Sequence, residues 1–389
     1  MSIGPAAAAD VGAGAGAAAA SAPSSAADSR APAAGLDYVA LGDSYAAGFG
    51  LGDPTGRPVG ACAQSAEDYP HRVATALDLD LTDVSCSSAT TANVVDTRQS
   101  GAAPQVDALG PSTRIVTVSI GGNDADVFGT AASCIALGRT GPVFDAKATT
   151  RSCRETLDAG GDDRLTRAID STTATGLRRA FTAIRAQAPN ARVFVVGYPA
   201  VFPDAAHTPV SGCFRPVIDG TSLSEGLPRN GFPFTDVDVA YLSGVQAHLD
   251  AVLKRAAAAA SFTYVDTLPG SQAHSACSRA DPYIEGVSLV ASAGFTKISL
   301  EPGALHPNAR GAAYLADQTA AAITRSLAST PSAGAGAGNG AGAGVAFGLP
   351  VAVWLALGLG LALIAAAVVA LLVARRRRGR PSPDARDTP

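Results

Sequence analysis

Three short blocks hold side chains suited to acyl chemistry. Gly42-Asp43-Ser44-Tyr45 follows directly on the apolar run Tyr38-Val39-Ala40-Leu41. That order places a serine hydroxyl at the end of a strand, on a turn tight enough to need glycine. Gly121-Gly122-Asn123-Asp124 closes the run Arg114 to Ile120; its paired glycines let the backbone approach a ligand, and Asn123 offers an amide donor. His306 stands in Leu305-His306-Pro307-Asn308, held between a loop and a helix that opens near proline. His71, His207, His248 and His274 have no such setting, and His71 and His248 read as helix-surface residues. Hydroxyl, imidazole and amide are the parts of a nucleophile, its base and an oxyanion donor. Each block alone also has a plain structural reading: a strand-to-loop turn, a type I′-like turn and a capping histidine. No Gly-x-Ser-x-Gly occurs, so the nucleophile elbow of the α/β-hydrolases is absent.

The elements that must position these blocks alternate strand-like and helical patterns. Strands are predicted at Tyr38–Leu41, Leu79–Ser85, Arg114–Ile120, Arg192–Val196 and Ser261–Val265, and helices over 67–78, 174–188, 238–259 and 308–328, with Pro307 in the first turn of the last. Alternation of this kind predicts an α/β fold with a mainly parallel sheet. The first three strands each end in a Gly- or Ser-rich polar turn. Ligands bind outside the carboxyl ends of strands in such sheets, so three polar turns on one rim predict one site. The connections 128–172 and 199–236 are expected to shape its pocket, and no period of 20–50 residues recurs to suggest a solenoid.

The wider chain sets the surroundings. Of 389 residues, 1–35 are nearly all Ala, Gly, Ser and Pro, and 330–344 repeat that bias as a flexible linker. Residues 36–329 form the expected catalytic domain. Residues 345–374 are apolar and uncharged, long enough for a transmembrane helix, and Arg375, Arg376, Arg377, Arg378 and Arg380 follow. The positive-inside rule makes 375–389 a cytoplasmic basic tail and places the domain outside the cell. Cys62, Cys86, Cys134, Cys153, Cys213 and Cys277 are an even set without a CxxC, which suits an oxidising compartment and argues against a zinc site. Fifteen pairings are possible; neighbour pairing (Cys62–Cys86, Cys134–Cys153, Cys213–Cys277) is the simplest. Residues 1–29 contain no Lys or Arg, and Asp10 interrupts their apolar run. This reads as a degenerate or truncated signal region, with the true start expected upstream or the n-region lost. A cytoplasmic tail-anchored protein is the rival, but it would put the arginines outside and the cysteines in a reducing space. The net charge of −4 becomes more acidic once the tail is set aside, which excludes a nucleic-acid footprint.

Gly-Asp-Ser early, Gly-Gly-Asn-Asp in the middle and His-Pro late resemble, in order and strand context, the SGNH/GDSL hydrolase family. The likeness runs over roughly residues 36–328. Asp43 to Gly48 and the run Cys86-Ser87-Ser88-Ala89-Thr90-Thr91 look most like its actinobacterial secreted lipases and esterases, which carry three disulfides between neighbours. The resemblance implies a flavodoxin-like three-layer α/β/α sandwich and hydrolysis of carboxylic esters. It implies Ser44 as nucleophile, His306 as base, and an oxyanion hole from the Ser44 N–H, the N–H of a glycine in the family's second block, here the run Cys86–Thr91, and the Asn123 amide of the family's third block. Two departures stand out. Ser88 replaces the second-block glycine, and Gly303 stands where Asp-x-x-His would place the acid that orients histidine. Some of the resembling lipases use a main-chain carbonyl there, so the carbonyl of Gly303 or Ala304 is expected to orient His306, with Glu301 as the side-chain alternative. Asp43 and Asp124 are expected to brace their turns, and Arg310 and Gly311 to open the last helix. The chain is expected to be a monomeric, membrane-tethered esterase or lipase without metal or organic cofactor, acting on a small-molecule, lipid or envelope ester. The linker spans roughly 20 Å, which keeps the site near the bilayer. Acyl transfer to envelope glycans, or a catalytically silent binding domain on the same scaffold, are the alternatives.

Overall fold

Alternation along the strands decides how the layers form. In β1 (Asp37–Gly42), Tyr38 and Ala40 face one side of the sheet while Val39 and Leu41 face the other, and all four are buried. The same division runs through β3 (Ile115–Ser119) and β4 (Arg192–Val196). A strand apolar on both faces must be covered twice, as parallel sheets are. The computed structural model describes residues 33–143, 150–222, 226–291 and 298–329, all within one unit that ends at Pro331.

The short β2 (Asp80–Asp83) and β5 (Thr263–Val265) complete a parallel five-stranded sheet in the order β2-β1-β3-β4-β5. This is the flavodoxin-like order, with its switch point between β1 and β3. The helices, in chain order, are α1 (Ser44–Ala47), α2 (Tyr69–Leu77), α3 (Thr91–Val95), α4 (Val127–Ser133), α5 (Cys153–Leu157) and α6 (Arg164–Ala168). They continue with α7 (Ala174–Gln187), α8 (Asp236–Ala259), α9 (Leu268–Ser271) and α10 (Ala309–Ala328). Helices α2 and α10 cover one face, where Val73, Leu315 and Ile323 pack with Tyr38 and Phe194. Helices α7 and α8 cover the other, where Leu177, Phe181, Leu242 and Leu249 pack with Leu41, Val118 and Val195. The result is the three-layer sandwich.

The long elements match their apolar periods, and the differences have local causes. β2 is shorter than Leu79–Ser85 because it is an edge strand whose outlet turns at once: the Asp83 side chain accepts the Ser85 N–H at 2.8 Å. Pro307 lies outside the last helix rather than in its first turn. Asn308 is the cap, accepting the Arg310 and Gly311 N–H groups at 3.0 and 3.1 Å. α8 begins at Asp236, two residues earlier than its apolar period suggested, because Thr235 caps it and acidic side chains suit its first turn. A two-stranded antiparallel pair, β6 (Leu289–Ala291) with β7 (Ile298–Leu300), was not anticipated. Disulfides join Cys62 to Cys86, Cys134 to Cys153 and Cys213 to Cys277, so each cysteine pairs with its neighbour. Among the described residues no helix is long and apolar enough to cross a membrane; the expected span at 345–374 lies outside them.

Candidate active site

The first block turns where β1 meets the sheet rim. Gly42 has φ +146°, and a Cβ there would lie 2.5 Å from the Ser119 carbonyl, so no other residue fits the exit from β1. Gln105 clamps it, accepting the Gly42 N–H at 2.8 Å and donating to its carbonyl at 2.9 Å. Asp43 then caps α1 through the Tyr45 N–H at 3.0 Å, which leaves Ser44 as the first helical residue.

His306 reaches this serine from the far end of the chain. Its Nε2 lies 2.8 Å from Ser44 Oγ, and its Nδ1 lies 2.8 Å from the Ala304 carbonyl. A carbonyl can only accept, so Nδ1 carries the proton and Nε2 is free to accept from the serine. The loop is held from several sides. Gly303, at φ +90°, sits so close to Gly50 that a Cβ on Gly50 would fall 2.3 Å from the Gly303 Cα. The Gly303 carbonyl accepts the His306 N–H, and the Tyr45 hydroxyl donates to the Leu305 carbonyl at 2.7 Å. Phe49 and Tyr45 each place a ring centroid 5.1 Å from the imidazole. Of the expected orienting groups, Ala304 is therefore the one in contact with the ring. Glu301 points elsewhere and pairs with Arg229 at 2.6 Å.

The other two blocks lie beside each other. Asn123 Nδ2 donates to the Ala89 carbonyl at 3.0 Å, which uses one of its two hydrogens and ties the third block to the second. Ser88 precedes that carbonyl with φ +67°, the left-handed region that glycine adopts without cost. The backbone conformation thus accounts for the glycine expected at this position. Ser88 is itself exposed. Asp124 braces the second block rather than its own turn: it accepts the Thr91 N–H at 3.1 Å and the Thr91 hydroxyl.

Tyr198 was missed by sequence reasoning. It follows Gly197 at the outlet of β4, and that fourth rim turn was the available signal. Its hydroxyl donates to Asp43 Oδ2 at 2.5 Å and accepts the Gly122 N–H at 3.0 Å, joining the serine block to the asparagine block. Burial pushes the Asp43 carboxyl up to about 7, against the pull of its bonds from Tyr198 and Tyr45. Burial also pulls His306 below the ordinary histidine value, only partly offset by its bond to Ala304. A depressed imidazole stays neutral, and hence basic, to lower pH.

Residues 40–314 match the sequence profile of the GDSL-like Lipase/Acylhydrolase family. The chain belongs to this GDSL-like family. It is an enzyme of lipase and esterase type. The GDSL-like relatives include "Lipase 2" of Streptomyces coelicolor, 36% identical over 291 residues, which covers 73% of this chain and 84% of that protein. They also include "Esterase" of Streptomyces scabiei, 30% identical over 321 residues, covering 75% of this chain and 86% of the other. Among solved structures, the phospholipase A1 of Streptomyces albidoflavus is similar with a TM-score of 0.53 and 25% identity, over 75% of this chain and 100% of that one.

Proposed function

We propose that this GDSL-like enzyme cleaves carboxylic esters through an acyl-enzyme on Ser44. Ser44 Oγ attacks the acyl carbonyl while His306 Nε2 takes its proton. The oxyanion is met by the Ser44 and Ser88 N–H groups and the second Asn123 amide hydrogen. Collapse expels the alkoxide, which receives the proton from His306. Water then repeats the sequence with His306 as base and releases the free acid. One observation carries this reading: the 2.8 Å contact between Ser44 Oγ and His306 Nε2, with Nδ1 held by Ala304. The base is oriented by a main-chain carbonyl, so the site works as a Ser–His dyad.

The substrate class is a lipid-like acyl ester outside the cell. The names of the relatives support the lipid-like ester. The uncharged apolar stretch 345–374 and the arginines after it support a single membrane anchor, with the enzyme on the outer side. A fluorophosphonate probe should label the full chain and fail on Ser44→Ala, with hydrolysis of p-nitrophenyl esters falling by about 10⁴-fold or more. Labelling that survives in Ser44→Ala would end the proposal. A panel of esters from short to long acyl chains then reads the preference.

A further inference from the structure

Away from the dyad, two acids and a histidine converge at the join between α2 and β2. Asp68 caps α2, its Oδ1 accepting the His71 N–H at 2.9 Å and lying 2.8 Å from His71 Nδ1. Asp83 ends β2, with its Oδ2 3.8 Å from the same Nδ1. Asp68 Oδ2 and this same Asp83 Oδ2 are buried, and neither accepts a hydrogen bond. Asp68 is fully buried and the Asp83 side chain is 3% exposed. One ligand atom from each of the three residues fits within a span of 4.8 Å.

Two carboxylates facing each other out of water need a positive charge or a shared proton. Among the described neighbours only His71 offers a charge, 2.8 Å from Asp68 and 3.8 Å from Asp83. The Tyr38 and Tyr69 hydroxyls are engaged with Thr117 and Ser119, the Gln64 amide turns to the Asp83 and Ser85 carbonyls, and among the described residues the ion pairs of both acids run to His71. Burial pushes both acids up, Asp83 furthest. A proton shared by the carboxyls would satisfy their oxygens; a cation would satisfy them together with His71, which the α2 cap already holds against Asp68.

We propose that Asp68, Asp83 and His71 form a divalent-cation site of the zinc type. The observed ligand separations of 2.8 and 3.8 Å bracket the ~3.3 Å between neighbouring ligands of a tetrahedral ion with bonds of about 2.0–2.1 Å. One imidazole and two carboxylates suit zinc, whereas calcium takes about six to eight oxygens. Binding exchanges the Nδ1 proton for the metal and frees Asp68 Oδ1 from that bond. The His71 side chain is 31% exposed, which gives the ion an entry path and a water its fourth position. The role is structural. A Cβ on Gly48, the cap of α1, would lie 2.7 Å from the Asp68 Cβ, so the ion would stiffen the wall behind the serine helix.

The test uses the full chain, stripped with chelator and dialysed against zinc. The parent chain should retain one zinc, and its Tm should rise by about 5 °C with zinc at a hundredfold excess over Kd. Cobalt should bind with the visible absorption of a tetrahedral ion, and calcium should not compete. Asp83→Asn keeps the acceptor for the Ser85 N–H and remains folded; it and His71→Ala should each bind zinc at least tenfold more weakly. Parent protein that retains no zinc, or variants that bind it as tightly, overturn the site. A zinc-free parent whose Tm falls relative to Asp83→Asn as pH rises from 5 to 8 identifies a shared proton instead, and also overturns it. None of these readouts uses ester hydrolysis, so Ser44→Ala protein serves equally well.

Discussion

At the scale of single residues, the chemistry rests on which atom of His306 faces which neighbour. Ala304 holds Nδ1, so Glu301 has no part in orienting the ring, and its exposed pair with Arg229 contributes little. Glu301→Ala should leave kcat within about twofold of the parent, since exposed pairs are worth about 1 kcal/mol or less. Asn123→Ala should lower kcat by about 10²–10³, the usual cost of one oxyanion donor. Initial rates on a soluble ester check both. The pH profile follows from burial of the imidazole. In the proposed mechanism His306 must be neutral to accept the serine proton, and its folded value is depressed. The acid limb of kcat/KM should therefore fall at a pH below the ordinary histidine value of about 6.5. A limb centred above that value would contradict the buried dyad.

At the scale of elements, four strand outlets are tied into one rim. Asp43 caps α1 and receives the Tyr198 hydroxyl, and Tyr198 in turn accepts from Gly122. A buried acid held at about 7 makes this joint pH-sensitive. Its folded value lies above its unfolded one, so the folded chain binds the extra proton. That stabilisation is fully present below the unfolded value of about 3.9 and is lost as pH rises to about 7, on the order of 4 kcal/mol in all. Asp43→Asn keeps the acceptor for the Tyr45 N–H and removes the titration. Denaturant unfolding should show the parent losing stability relative to Asp43→Asn between pH 4 and 7, with no further divergence above. The elements themselves were largely legible. β4 and the long helices follow apolar periods and caps that a reader of the chain can see. β6, β7 and the short α4 to α6 were not, because elements of three to seven residues carry too few side chains for a period to register.

At the scale of the whole molecule, the described sandwich ends at Ser329. Helix α10 ends at Ala328, and the match to the GDSL-like family ends within that helix, at residue 314. A chain stopped at Ser329 should fold and keep its kcat/KM on a short-chain ester within about twofold, since it retains every described element of the sandwich. The full chain should sediment with membranes and the shortened one should stay in the supernatant. Equal partition of the two would remove the apolar stretch 345–374 as an anchor. Surface labelling of intact cells, with the label found on the catalytic domain, reads its side of the membrane.

The order of the strands along the chain, the three polar blocks at their outlets and the even set of cysteines could all be taken from the sequence. Each depends on neighbours within a few residues, where period, turn chemistry and composition act directly. The tertiary structure alone decided that the Ala304 carbonyl orients the base, that Ser88 adopts a left-handed backbone and that Tyr198 bridges two blocks. It also brought Asp83 to the Asp68–His71 pair. Several of these meetings join residues far apart in the chain, 155 positions for Tyr198 and Asp43 and 262 for Ser44 and His306. Their geometry is set by how the two faces of the sheet pack, and no local pattern of residues encodes that.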